Sequence, residues 1–68
     1  MFAKGDRVEF IKVCDWEKSI GINLGSRATV YQHNMNDEVV LVELDEPINA
    51  IVLRTIYFAN MHQLRKVG

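Results

Sequence analysis

Among the side chains able to do chemistry, Cys14 with His33 or His62 could form a thiol and imidazole pair, the imidazole drawing the proton from a sulfur nucleophile. Such a pair needs a third group to orient the base, and no local signature around Cys14 supplies one. A lone cysteine otherwise behaves as a small hydrophobe, so a cysteine at a barrel edge accounts for it. Cys14, Asp15, His33 and His62 contain metal-ligating atoms but lack paired ligand spacing such as Cys-x-x-Cys or His-x-x-x-His. Asp37, Glu38, Glu43, Asp45 and Glu46 could suggest paired carboxylates for acid and base work. A chain this small offers no deep cleft to perturb them, and solvated turn residues explain them better. No catalytic residue, metal or cofactor is expected, and the chain does not read as an enzyme.

Binding is the remaining chemistry. Arg27, Tyr31 and His33 share a predicted strand face, and with Trp16 and Lys18 they could stack and neutralise single-stranded nucleic acid. Glu17 sits among them, however, and eight Lys and Arg against nine Asp and Glu leave a net charge of −1. That balance supplies no long-range field toward nucleic acid or an anionic membrane. A protein partner fits the same residues, with Asp15, Trp16, Glu17 and Lys18 at the tip of a surface loop. The alternative for Trp16 is that its ring folds back over the barrel end beside Ile20 and Ile22.

The chain has 68 residues, 49% of them hydrophobic, enough for one small domain. One cysteine excludes an internal disulfide and fits a reducing compartment, so a cytoplasmic protein is expected. Lys4, Asp6, Arg7 and Glu9 interrupt any apolar leader, and no run reaches membrane-spanning length.

The elements that must position these groups are short strands. Lys4-Gly5-Asp6 is a turn signal, and residues 7–13 follow as a strand with Val8 and Phe10 on one face. Ile11 and Val13 fall on the other parity, which predicts a bulge near Phe10 or a bend. Residues 14–26 show no period and carry Gly21 and Gly25, predicting a long loop pinned inward by Ile20, Ile22 and Leu24. Arg27 to His33 reads as a strand with Ala28 and Val30 inward and Arg27, Thr29, Tyr31 and His33 outward. Asn34-Met35-Asn36-Asp37 turns the chain into residues 38–44, the strongest strand and the expected central one. Pro47 ends that region, a strand over residues 50–58 follows, and Ala59-Asn60-Met61-His62 resembles a helical turn before a closing strand at 63–67. About five strands with no helical period or repeat predict an all-β barrel.

Gly5-Asp6-Arg7-Val8, the long loop ending Gly21-Ile22-Asn23-Leu24-Gly25, Ala28-Thr29-Val30, Val40-Leu41-Val42-Glu43-Leu44-Asp45 and Phe58-Ala59-Asn60-Met61-His62-Gln63-Leu64 together resemble the SH3-like β-barrels of prokaryotic and phage proteins. The outline is similar to KOW-type ribosomal and transcription-factor barrels, the photosystem I subunit PsaE and the variable chain of ferredoxin-thioredoxin reductase. The resemblance implies one barrel of about five strands, a long loop after the first strand and a short helical turn before the last. It also implies a non-catalytic accessory subunit or inhibitor, with a phage origin among the possibilities. The chain departs from eukaryotic SH3 grooves in having no tryptophan pair. Its loop Cys14-Asp15-Trp16-Glu17-Lys18 lacks the basic glycine-rich character of KOW loops.

Val39, Leu41, Ile51 and Leu53 lie on the parity opposite Val40, Val42, Leu44, Val52 and Ile56, so neighbouring strands are apolar on both faces. The long loop covers the second face, or another chain does. The expected contact residues are therefore Trp16, Glu17, Lys18, Arg27, Tyr31, His33, Val39, Leu41 and Leu53. A protein partner leads, a KOW-like nucleic-acid role is the alternative, and self-association stays open.

Overall fold

The computed structural model describes residues 2–34, 36–46 and 56–68, and contains five strands, a short α-helix and a 3₁₀ turn. They are β1 (Arg7–Phe10), α1 (Asp15–Ser19), β2 (Arg27–His33), β3 (Val39–Leu44), β4 (Ile56–Asn60), the 3₁₀ turn Met61–Gln63 and β5 (Leu64–Lys66). All pairings are antiparallel, in the order β4-β3-β2-β1-β5. Among the described residues, no helix is long and apolar enough to cross a membrane.

That order places β4 and β5 at opposite edges, yet only the 3₁₀ turn separates Asn60 from Leu64. A flat row of this width would hold its edges roughly 19 Å apart. The four residue steps from Asn60 to Leu64 reach at most about 14 Å fully extended, and less when wound as 3₁₀. The sheet must therefore curl until its edges meet. Its inner face closes on one cluster, with Val8 and Phe10 from β1, Ala28 and Val30 from β2, Val40, Val42 and Leu44 from β3, Ala59 from β4 and Leu64 from β5. This is the expected small all-β fold of five strands, with its helical turn before the last strand. Each large aliphatic or aromatic side chain in that cluster contributes about 1.5–3 kcal/mol of burial free energy.

Several expectations need correction. Residues 14–26 are not uniformly loop, because α1 starts with Cys14 at the N-cap. Glu17 Oε1 accepts from the Cys14 amide at 2.9 Å, and Gly21 at φ 103° follows the helix in the left-handed conformation. Five helical residues are too few to display a period, and cysteine is not a usual cap, so the pattern Cys14-x-x-Glu17 passed as loop. Ile22 is buried and Ile20 half-buried, but Leu24 points out at 65% exposure. Leu24 occupies a tight turn closed by the Ser26 amide on the Asn23 carbonyl, with Gly25 at φ 87°, so strand alternation does not reach it.

The predicted bulge near Phe10 lies elsewhere. β1 ends at Phe10, with Ile11 exposed, and the register instead slips in β2, where Val30 faces Val42 but Gln32 faces Leu41. Tyr31 is the extra residue. The slip inverts side-chain parity, so His33 faces the buried Val40 instead of the outer surface. β3 pairs on both sides as a buried strand should, while β2 occupies the middle of the row. Of the strand expected over 50–58, residues 50–55, including Leu53, lie outside the described residues. Ala59 and Asn60, expected in the helical turn, belong to β4 and leave the turn to Met61–Gln63.

Candidate functional site

Among the described residues the polar side chain buried most deeply is Glu17, one of those the sequence placed at an exposed tip. It is 2% exposed and belongs to the interior, which removes it from the expected contact surface. Its Oε1 accepts from the Cys14 amide at 2.9 Å and from Gln63 Nε2 at 2.6 Å, and its Oε2 accepts from the Tyr57 hydroxyl at 2.6 Å. Gln63 Nε2 also donates to the Lys12 carbonyl at 3.1 Å, while Gln63 Oε1 accepts from the Asn60 amide at 3.0 Å. One carboxylate thus ties α1 to β4 and to the 3₁₀ turn. Burial alone would raise its pKa, but the hydrogen bonds from Tyr57, Cys14 and Gln63 outweigh burial and hold it below the ordinary glutamate value. Tyr57 responds in the opposite sense: burial, then the bond to Glu17, push its phenol well above the usual range.

Above this network the aromatic rings form a ladder. The Tyr57 ring lies 6.2 Å from Phe10 in the core and 6.3 Å from Trp16, with which it stacks at an interplanar angle of 25°. Trp16 is nevertheless 60% exposed. It is neither a free loop tip nor part of the core: one ring face rests on Tyr57 and much of the rest meets solvent. Lys18, two residues along α1, is exposed too.

The other expected contact residues divide among separate places. Tyr31 is exposed, with Lys4 Nζ 5.6 Å above its ring. His33 is half-buried against Phe2, with Nδ1 accepting from the Phe2 amide at 3.3 Å and Nε2 2.8 Å from the Asp37 carbonyl. Trp16, Tyr31 and His33 thus rest against three different partners, Tyr57, Lys4 and Phe2. Arg27 lies exposed at the start of β2, opposite Glu9. Val39 and Leu41 stand on the outer face of β3, where Leu41 pairs with Phe58. Phe58 is 67% exposed and was not singled out from sequence.

Cys14 caps α1 while His33 is engaged as described, and no group of three or more His, Cys, Asp or Glu could hold a metal among the described residues. Of the acidic residues expected as solvated turn groups, Asp45 differs: Arg7 grips it bidentately at 2.6 and 2.7 Å and also donates to Thr29 at 2.8 Å. That bond keeps the Asp45 carboxyl below the ordinary aspartate range. An open groove of about 380 Å³ runs between the Asn23–Ser26 turn and the end of β3, lined by Ile22, Ser26, Arg27, Leu44 and Asp45 among others.

Fold and site together define a small β-barrel that holds one exposed aromatic in a fixed orientation over a buried carboxylate network. No protein-family model matches the chain, and neither does any curated protein or solved structure.

Proposed function

We propose that this protein is a non-catalytic protein-binding module, an accessory subunit or inhibitor of a larger cytoplasmic protein, with Trp16 at the centre of one contact surface. A single observation carries the reading: Trp16 is 60% exposed yet already oriented, stacked on Tyr57, whose hydroxyl is anchored on buried Glu17. Aromatic anchors held in their bound geometry lose little conformational freedom on association, and tryptophan is enriched among residues whose truncation weakens interfaces. Lys18 beside it gives the rim of the surface a charge.

The test is affinity capture from a lysate with tagged wild-type protein and Trp16→Ala, each with and without nuclease. A protein retained by the wild type, insensitive to nuclease and lost with a folded Trp16→Ala variant, supports the reading. The expected loss is at least about 2 kcal/mol of binding free energy. Retention that vanishes with nuclease would move the module to the nucleic-acid class.

A further inference from the structure

A second surface lies on the outer face of β3 and β4 and differs chemically from the Trp16 surface. Side chains from Val39, Leu41, Ile56 and Phe58 share this face, as the register pairs Leu41 with Phe58 and Glu43 with Ile56 while Val40 and Val42 point inward. Phe58 is 67% exposed and Val39 39%. A domain with so small a core would gain by burying a phenylalanine, so leaving its ring on the outside of a strand carries a cost in stability.

Among the described residues, the charge beside this face on β3 itself is acidic. From Ala28 to Leu53 the sequence contains no Lys or Arg, while Asp37, Glu38, Glu43, Asp45 and Glu46 all fall within that stretch. Asp45 is neutralised by Arg7, but among the described residues Glu38 and Glu43 form no ion pair. Glu43 stands on the outer face beside Ile56, and Glu38 is exposed just before Val39. Of the described cations nearest this face, Arg7 is bound to Asp45 and Arg27 stands opposite Glu9, while Arg65 and Lys66 in β5 pair Glu9 and Asp6.

We propose that the outer face of β3 and β4 is a docking surface for a cationic amphipathic protein segment, whose apolar side chains cover Phe58, Leu41 and Val39 while its Lys or Arg side chains meet Glu43 and Glu38. The sign of the rim selects this occupant, since nucleic acid and anionic lipid would bring like charge to the same carboxylates. This surface is independent of the one around Trp16, and either can fail alone.

The experiment titrates isotopically labelled protein with two synthetic peptides of about 14 residues sharing one helical leucine stripe, lysine filling the other positions in one and glutamate in the other. The lysine peptide is expected to shift the amides of Val39, Leu41 and Phe58 and leave those of α1 in place. Phe58→Ser, an exposed substitution whose fold the same spectra report, should weaken binding about tenfold or more. Glu43→Lys should weaken it several-fold, as should raising sodium chloride from about 50 to about 500 mM. Equal binding of both peptides, shifts confined to α1, or indifference to Phe58→Ser and Glu43→Lys would overturn the proposal. So would concentration-dependent dimerisation abolished by Phe58→Ser without peptide binding, because the face would then belong to a second copy of the chain.

Discussion

The Tyr57 hydroxyl donates a 2.6 Å hydrogen bond to Glu17 Oε2 across 40 positions of sequence, joining the first loop to the edge strand β4. The same tyrosine ring carries Trp16, so the bond that fixes α1 also sets the orientation of the exposed indole. A carboxylate satisfied by neutral donors is a strong acceptor, and removing it strands those donors.

Glu17→Gln is therefore expected to cost about 2 kcal/mol, within the range for a hydrogen bond to a charged group. In a chain this short that lowers Tm by roughly 8–16 °C. Tyr57→Phe, which keeps the ring stack but loses the hydroxyl, should cost a similar amount and leave the Trp16 emission maximum near its wild-type position. Thermal unfolding followed by circular dichroism and by fluorescence measures both. A Glu17→Gln variant as stable as the wild type would show that the network does not hold the loop.

Acid should weaken the fold in a defined direction. Glu17, Asp6 and Asp45 all have carboxyl pKa values below their ordinary ones, so the unfolded chain binds protons that the folded chain refuses. Stability is then fully present above the ordinary carboxyl values of about 4, and is lost as pH falls through the lower folded-state values. Urea midpoints should stay level from about pH 7 to 5 and fall below about pH 4, with a shallower fall for Glu17→Gln. Equal slopes for the two proteins would remove Glu17 from the acid response.

Cys14 occupies the N-cap of α1, where sulfur is a weak acceptor and serine or aspartate is preferred. Cys14→Ser should raise stability by about 0.5–1 kcal/mol, because the bond that the Cys14 amide donates to Glu17 Oε1 does not depend on the thiol. A lower urea midpoint for the serine variant would instead mean that the thiol contributes through its packing.

Leu41→Glu tests whether the second apolar face belongs to the core. Leu41 lies on the outer face, half-buried between Gln32 and Phe58, so the variant should stay folded and lose at most about 1.5 kcal/mol. Loss of amide dispersion in its NMR spectrum would place Leu41 in the interior.

The barrel itself was legible in the sequence because its signals are local. Alternation put Val8 and Phe10 on one face and Ala28 and Val30 inward, all four of which are buried, β2 matches its predicted span, and turn residues separate the strands as expected. The 3₁₀ turn came within two residues of its predicted start. What only the tertiary structure decided are the points where distant chain segments meet. The sequence reading put Glu17 at a tip because glutamate is rarely buried, yet donors 40 and 46 positions away make the interior tolerable for it. Tyr57 and Gln63 were overlooked because nothing beside them in sequence marks them as those donors. His33 was read as outward because strand parity is counted from neighbours, and one extra residue at Tyr31 inverts the count. Phe58 had the pattern of any strand residue, and only the curl of the sheet decides which parity faces the core. Periodicity reports which side chains share a face, whereas burial depends on what the folded chain brings against that face.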